Sequence, residues 1–338
     1  MHTLSRRDFL KLGSAALLWP ALQGVPLASA QEYIGGPPAS LGRISTGWRQ
    51  AVRKEAALKA EVVAWKSYDQ VIPLYATVLG EAPWPSNPTW YQTDEGFIHS
   101  GYVQPVEDQP QALVVIELAK PGIWVQISIP VAEMRWQPDS PYVGRRLYYG
   151  TVYRAVKAVT DKAGNWWYQL QEGVSYSPGP HIPAASARYL SPEALAPISP
   201  GLPDKRVQID VKAQTLVCFE GETAVFGCPI ASGLPGMITP RGEYRVLVKR
   251  HTDYMIGGSG NDYYNLPGVA FPTYFTWSGI AIHGTYWHND YGRPKSHGCV
   301  NVPNDAAQWV FRWTEPAVPY TDYALRAPKD AGTRVVVV

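Results

Sequence analysis

A cysteine near the C-terminus, Cys299, directly follows a glycine in a polar turn. His297 precedes it by two positions, within the run Ser-His-Gly-Cys-Val-Asn, and His283 lies further upstream. A catalytic thiol needs a base that accepts its proton and backbone N–H groups that stabilise a developing oxyanion. A histidine and the N–H groups around Gly298 could supply both. The spacing therefore indicates nucleophilic chemistry at Cys299.

A zinc site is the main alternative use of these side chains. His283, His288, His297 and Cys299 are all residue types that bind zinc. Their spacings, H-x4-H and H-x-C, match no common zinc motif. We therefore expect no metal at this site.

The segment from Ile282 to Asn301 resembles the signature of the YkuD-type L,D-transpeptidase family. In that family a histidine is followed, after a spacer of similar length, by Ser/Thr-His-Gly-Cys, a hydrophobic residue and Arg or Asn. The strand predicted at 207–210, the Thr-Pro-Arg-Gly-Glu-Tyr run at 239–244 and the valine-rich end of the chain fit the same pattern. The resemblance extends over residues 205–338, a normal size for one domain.

The resemblance implies a role for each residue near the thiol. Cys299 would be the nucleophile, and His283 would be the base that takes its proton. The backbone carbonyl of Gly284 would fix the tautomer of that base. The N–H groups of Gly298 and Cys299 would form the oxyanion hole. His297 would shape the turn or contact the substrate.

Other residues of the segment are expected beside the substrate. Ser296 and Asn301 would hydrogen-bond the backbone of the turn. The hypothesis for the loop before them is that Tyr286 and Trp287 form one wall of the substrate groove. Arg293 or Lys295 would meet a carboxylate of the substrate. The alternative is a solvated loop whose aromatic side chains cover the sheet. The opposite wall could come from a second aromatic set, which could equally be core: Tyr263, Tyr264, Tyr274 and Trp277.

The activity that the resemblance implies is the cross-linking of peptidoglycan. Cys299 would attack the amide before the terminal D-alanine of a tetrapeptide stem, and an amine of a neighbouring stem would resolve the thioester into a 3→3 cross-link. Two alternatives stay open. Water could resolve the thioester, which would make the protein an L,D-carboxypeptidase, or the chain could be a wall-binding protein with an inert C-terminal domain. The expected partners are stem peptides, and glycan strands could be contacted as well.

The composition narrows the class of protein. The chain has 338 residues, 46% of them hydrophobic, with 31 prolines and 30 glycines, which is typical of a folded protein with many short strands and turns. The formal net charge of +2 matches the excess of basic residues in the first thirty positions. The remainder is neutral, so a nucleic-acid binder, which needs a basic surface, is not expected.

The first thirty residues resemble a twin-arginine secretory signal. Arg6 and Arg7 precede an apolar run, and Ala28-Ser29-Ala30 offers small residues for cleavage before Gln31. A membrane anchor is the alternative, but proline and glycine residues interrupt the run, which is short for a bilayer span. We expect twin-arginine export to the cell wall or periplasm, and no stable membrane insertion after cleavage.

Two segments with related tryptophan strands precede the C-terminal region. Trp90-Tyr91-Gln92 is followed by Glu-Gly, and Trp167-Tyr168-Gln169 is followed by Glu-Gly at the same spacing. Each lies after a β-rich stretch, so we predict two small β-barrels that resemble bacterial SH3-type modules. Residues 53–63 contain good helix formers and leave a short helix open there.

The predicted fold is therefore mainly β. Two small SH3-like barrels would precede a YkuD-type β-sandwich with one short helix, predicted at 305–313 with Asn304 as its N-cap. The predicted order is a signal at 1–30, a flexible lead at 31–42, modules at 43–108 and 109–195, a proline-rich linker at 196–204 and the catalytic domain at 205–338.

Overall fold

Short segments rich in β-branched and aromatic residues, separated by glycine and proline, form most of the regular structure. The computed structural model describes residues 40–84, 86–171 and 178–338. Within these ranges it contains 27 β-strands and one α-helix, which confirms the prediction of a mainly β protein with one short helix. The predicted signal and nearly all of the predicted lead lie outside the described residues. No helix in the described ranges is long and apolar enough to cross a bilayer.

The first eight strands, which we call the first module, form two sheets. One has the order β4-β1-β8 and the other the order β3-β2-β7-β6-β5. A core of Trp90 and Phe97 lies against the larger sheet. The strands are β1 (Ser40–Ile44), β2 (Arg49–Arg53), β3 (Val62–Ser67), β4 (Val71–Leu74), β5 (Ala76–Leu79), β6 (Thr89–Gln92), β7 (Phe97–His99) and β8 (Val103–Val106).

The short helix left open at 53–63 does not form. β2 and β3 pair antiparallel, with Val52 opposite Ala64, and the residues between them make the connecting turn. The Lys54 N–H donates to the Glu61 carbonyl at 2.9 Å, which closes that turn. Pairing of the flanking strands therefore overrides the helix propensity of the residues between them.

The next seven strands, which we call the second module, form one five-stranded sheet and a hairpin. The sheet has the order β14-β13-β12-β9-β15, and β10 pairs with β11. Its core includes Val125, Tyr168 and Ile182. The strands are β9 (Ile123–Ile127), β10 (Val131–Glu133), β11 (Arg146–Tyr148), β12 (Val152–Thr160), β13 (Trp166–Gln171), β14 (Pro178–Pro183) and β15 (Ala187–Leu190).

The sheets of both modules are open rather than closed in the part of the chain that the structure describes. The two repeated tryptophans, Trp90 and Trp167, both lie on strands and are both buried. The likeness to SH3-type modules and the module boundaries stay predictions.

The remaining strands and the helix form the C-terminal domain. Its two five-stranded sheets have the orders β18-β17-β16-β27-β19 and β25-β24-β23-β20-β26, and β21 and β22 form a separate ribbon. Residues such as Val207, Ile282 and Val335 share one core. The elements are β16 (Lys205–Asp210), β17 (Thr215–Glu220), β18 (Thr223–Pro229), β19 (Gly242–Arg245), β20 (Val248–Arg250), β21 (Thr252–Gly257), β22 (Tyr264–Ala270), β23 (Thr273–Tyr274), β24 (Ala281–Gly284), β25 (Val300–Val302), α1 (Asn304–Trp313), β26 (Ala324–Arg326) and β27 (Arg334–Val337).

Helix α1 buries the face that the sequence predicts, with Ala306, Val310 and Trp313 in the core. Its start differs from the prediction, because Asn304 is the first helical residue and Pro303 occupies the cap position without a side-chain hydrogen bond. Proline has a fixed φ and no side-chain oxygen, so this helix begins without the predicted asparagine cap.

The second module and the C-terminal domain share a core. Trp124 is buried there, stacks on His251 with ring centroids 4.4 Å apart, and donates its Nε1–H to the Tyr320 carbonyl at 2.7 Å. The proline-rich segment between them lies along α1, where Arg312 Nε donates to the Ala196 carbonyl at 2.8 Å. The second module is therefore packed against the C-terminal domain and is not separated from it by a free linker.

Two buried lysines hold the C-terminal end of α1, where the helix dipole is negative. Lys205 Nζ donates to the Trp313 carbonyl at 2.8 Å. Lys249 Nζ donates to the Thr314 carbonyl at 2.6 Å and to the Pro316 carbonyl at 2.8 Å. Burial lowers the pKa of Lys249 to about 7.

Replacing Lys249 with methionine tests the contribution of this end of the helix. Lys249→Met leaves two buried carbonyls without their donor, so we expect the free energy of unfolding to fall by about 1–3 kcal/mol. Lysine at this site binds fewer protons in the folded chain than in the unfolded chain between pH 7 and about 10. The stability of the wild-type protein should therefore rise with pH from 7 to 9.5, and Lys249→Met should flatten that rise.

The measurement is urea denaturation across that pH range. Lys329→Met is the matched control, since the Lys329 side chain is exposed. Equal pH slopes for the wild type and Lys249→Met would contradict the assignment.

Candidate active site

The pairing of β24 with β25 brings the predicted base and nucleophile to neighbouring stretches of backbone. The two strands are parallel, with Ile282 opposite Val300 and His283 opposite Asn301. Cys299 lies at a bend immediately before β25, one residue before the position that pairs with Ile282. A loop that leaves β24 and returns to β25 connects the two residues, and we call residues 285–298 the connecting loop.

The His283 ring is buried and held by the backbone beside it. Its Nδ1 lies 3.0 Å from the Gly284 carbonyl, which can only accept, so Nδ1 carries the proton and Nε2 keeps its lone pair. Burial lowers the pKa of His283 to about 4, against a smaller opposite effect of the Gly284 carbonyl. The ring is therefore neutral near pH 7 and able to accept a proton at Nε2.

The Cys299 thiol is partly exposed and lies near the turn that precedes β24. Its Sγ is 3.7 Å from the Gly279 carbonyl. Burial raises the pKa of Cys299 to about 11, against a smaller lowering effect of the Ala281 backbone. The resting pair is therefore a neutral thiol and a neutral imidazole, and proton transfer has to accompany attack by sulfur.

The turn before Cys299 is fixed by a short chain of hydrogen bonds. The Gly298 N–H donates to Ser296 Oγ at 3.1 Å, and Ser296 Oγ donates to the Cys299 carbonyl at 2.5 Å. Thr239 Oγ1 donates to the Gly298 carbonyl at 2.8 Å. Gly298 has a φ of +119°, which a side chain would strain. The Gly298 N–H would have to leave Ser296 before it could reach an oxyanion, so the predicted oxyanion hole is not preformed at that donor.

A buried histidine ties the first half of the connecting loop to β25. His288 Nδ1 accepts the Asp290 N–H at 3.1 Å, and His288 Nε2 lies 2.9 Å from the Asn301 side-chain amide. Asn301 also pairs with Ala231 through its backbone. Asn301 and Ser296 are both buried, so their side chains support the loop, and a direct contact with substrate stays a prediction.

Of the two aromatic side chains predicted to form a wall of the substrate groove, only Trp287 lies beside the His283 ring. The Trp287 ring is partly exposed and lies 5.8 Å from the His283 ring. Tyr286 is buried and stacks on Tyr148 of the second module at 5.4 Å, so its position gives no support to the predicted substrate contact. Its ring contributes instead to the contact between the second module and the C-terminal domain.

Arg293 is already engaged within the protein. Its guanidinium binds Asp290 Oδ2, with Nη2 at 2.6 Å, and lies 3.5 Å from the centre of the Trp84 ring in the first module. Lys295 Nζ reaches the same carboxylate oxygen at 2.9 Å. A substrate carboxylate would have to compete with Asp290 for Arg293, and this role stays a prediction.

The side of the site away from the loop carries tyrosines. The exposed His297 ring lies 5.1 Å from Tyr264 on β22. Tyr274 donates its hydroxyl to Asp253 Oδ2 at 2.5 Å. Burial raises the pKa of both tyrosines, with the Cys299 sulfur as a smaller cause. Both therefore lie within electrostatic reach of the thiol.

Several residues that shape the site carried no signal in the sequence. Gly279, Asp253 and Asp290 are polar or small residues of ordinary loops and strands, and only their contacts single them out. Across residues 40–84, 86–171 and 178–338, no group of three or more His, Cys, Asp or Glu side chains is arranged to hold a metal ion.

Comparison with known proteins finds a family match for the C-terminal domain. Residues 204–337 match the model of YkuD, the L,D-transpeptidase catalytic domain. L,D-transpeptidase 1 of Mycobacterium tuberculosis is 29% identical over 109 residues, which are 30% of this chain and 43% of that protein. The chain therefore spans less than half the length of this relative.

Solved structures with the same description are similar to parts of this chain. M. tuberculosis L,D-transpeptidase 1 has 25% identity and a TM-score of 0.30, covering 40% of this chain and 60% of that one. The catalytic domain of the Enterococcus faecium L,D-transpeptidase has 24% identity and a TM-score of 0.31, covering 41% and 99%. An L,D-transpeptidase from Mycobacterium smegmatis has 18% identity and a TM-score of 0.33, covering 62% and 98%.

The protonation state of Cys299 can be tested directly. With a thiol pKa of about 11, we expect the rate of alkylation by iodoacetamide to rise about tenfold per pH unit from pH 7 to 9, because only the thiolate reacts. The measurement is intact-mass spectrometry of the protein over time, with Cys299→Ala as the control for the other two cysteines. A rate that is already level between pH 6 and 8 would indicate a thiolate–imidazolium pair instead.

Proposed function

Starting from a YkuD-type domain at residues 204–337, we propose that the protein is a cysteine-dependent L,D-transpeptidase that cross-links peptidoglycan stem peptides. The observation that supports this most directly is the arrangement at β24 and β25. His283 has Nδ1 bound to the Gly284 carbonyl, which leaves Nε2 able to accept a proton, and Cys299 immediately precedes β25, which pairs with the strand that holds His283.

The first half-reaction forms a thioester. Cys299 Sγ attacks the carbonyl carbon of the amide before the terminal D-alanine while His283 Nε2 takes the thiol proton. The C–N bond then breaks, and the imidazolium returns that proton to the departing amine of D-alanine. Backbone N–H groups of the turn at Gly298 and Cys299 are the donors proposed for the oxyanion.

The second half-reaction transfers the acyl group. The amine of a neighbouring stem attacks the thioester, and His283 removes a proton from that nitrogen. The C–S bond breaks, the sulfur recovers a proton, and a 3→3 cross-link results. No step needs a cofactor. If water attacked instead of the amine, the same thioester would give a tripeptide, as in an L,D-carboxypeptidase.

The proposed location follows from the proposed substrate. Peptidoglycan lies outside the cytoplasmic membrane, so the enzyme would act in the cell wall or periplasm. The predicted twin-arginine signal at 1–30 is the proposed route of export. A contact of the two modules with glycan strands stays a prediction.

The activity can be tested with purified disaccharide-tetrapeptide and mass spectrometry. We expect a cross-linked dimer that lacks one D-alanine. Cys299→Ala should give none, and His283→Gln should lower the rate by roughly 10²–10⁴-fold, because general-base assistance is lost. Cys228→Ala is the matched control, since Cys228 lies on β18 in the other sheet, and it should keep the activity.

The other outcomes separate the alternatives. A tripeptide monomer as the sole product would indicate a carboxypeptidase. Product formation by the Cys299→Ala variant would rule out the cysteine mechanism. Absence of both product and a Cys299 adduct would favour a wall-binding protein with an inert domain.

A further inference from the structure

A buried arginine of the first module reaches the connecting loop of the C-terminal domain. The Arg43 side chain is 0% exposed. Its Nη2 donates to the Tyr286 carbonyl at 2.5 Å. Tyr286 lies three residues after His283 and two after Gly284, whose carbonyl orients the His283 ring. One side chain of the first module therefore holds the backbone immediately after the proposed base.

The other contacts of Arg43 fix its guanidinium completely. Nη1 donates to Asp69 Oδ1 at 2.8 Å, and Nε and Nη2 donate to Gln104 Oε1 at 3.1 and 2.8 Å. The group lies 4.0 Å from the centre of the Tyr148 ring, which in turn stacks on Tyr286. A buried cation is retained only where such partners replace its hydration, so this is a specific three-way junction between the two modules and the loop.

The first module contacts the connecting loop at further points along its length. Asn289 Nδ2 lies 3.3 Å from Tyr91 Oη and 3.4 Å from the Ser100 carbonyl. A Cβ on Gly292 would lie 2.8 Å from the Ser86 side chain, so the two backbones approach too closely for any larger residue. The C-terminal domain holds the other side of the loop, where the Gly292 N–H donates to the Ile230 carbonyl at 2.8 Å.

These contacts give the first module a role that the sequence did not predict. We propose that Arg43 is a positioning residue for the reaction, and that the first module serves to hold the connecting loop between His283 and Cys299. This inference rests on the proposed transpeptidase function. The module would then be part of the catalytic unit, and in an enzyme that lost it the loop between the base and the nucleophile would be held from the C-terminal domain alone.

The test compares two arginines that share a carboxylate. Arg43→Lys keeps the charge, but an ammonium cannot span Asp69, Gln104 and the Tyr286 carbonyl as a planar guanidinium does. We expect kcat to fall about 10- to 100-fold with KM within about twofold, because the reacting groups are displaced while substrate binding is retained. Arg146 also binds Asp69, at 3.0 Å, but it is largely exposed and makes no contact with the loop, so Arg146→Lys should change kcat by less than about twofold.

A second readout separates positioning from simple loss of folding. The pH dependence of Cys299 alkylation reports on the thiol and its surroundings without any substrate. We expect a changed profile in Arg43→Lys, and the wild-type profile in Arg146→Lys. A folded Arg43→Lys protein with wild-type kcat and a wild-type alkylation profile would overturn the proposal.

Two further results are decisive. If Arg43→Lys does not fold, Tyr91→Phe serves as the test, because it removes only the hydroxyl contact with Asn289. We expect a two- to fivefold loss of kcat at unchanged melting temperature. An unchanged kcat would overturn the proposal. If the wild type makes no cross-link, a changed alkylation profile in Arg43→Lys still supports positioning by the first module, and only the proposed activity fails.

Discussion

The guanidinium of Arg43 is the interaction on which the arrangement of the three parts of the chain depends. It is buried where the first module, the second module and the connecting loop meet, and every acceptor around it comes from a distant part of the sequence. Removing one partner of such a buried group leaves the others without compensation, which is far more costly than losing a surface ion pair. The modules are consequently fixed relative to the loop. A tether to the cell wall would not need this degree of fixation, whereas a catalytic unit would.

The parallel pairing of β24 and β25 creates the need for that support. Parallel neighbours cannot be joined by a tight turn, so a long crossover must leave one strand and return to the start of the other. Here the crossover is the connecting loop, and the two chemically important residues lie at its ends. A loop of this length would ordinarily be mobile. Buried contacts along it, from Tyr286 through His288 and Asp290 to Ser296, allow it to carry a defined geometry.

The sequence predicts the parts of this site that depend on local pattern. The spacing of His283 and Cys299 predicts their association, and the structure has His283 on β24 and Cys299 immediately before β25, the strand that pairs with it. The apolar periodicity of 305–313 predicts the buried face of α1. Contacts between distant residues leave no such pattern. Arg43 and Tyr286 are 243 positions apart, and the sequence around either residue contains no pattern that predicts their contact. The same limit applies to Arg293, whose guanidinium binds Asp290 and lies over the Trp84 ring within the protein. It also applies to residues 53–63, where strand pairing overrides helix propensity.

One physical cause, the burial of the site, shifts the pKa values of both reacting groups. Burial disfavours every charged form, so it raises the pKa of the Cys299 thiol and lowers the pKa of the His283 imidazole. A neutral pair is a slower starting point than a preformed thiolate, since sulfur must lose its proton during attack. The two groups nevertheless differ in their access to solvent, because His283 is buried while Cys299 is partly exposed. The base is therefore shielded while the sulfur stays accessible to a substrate. Water and an amine could both approach such a sulfur, so the acceptor depends on how a bound substrate fills the space beside it.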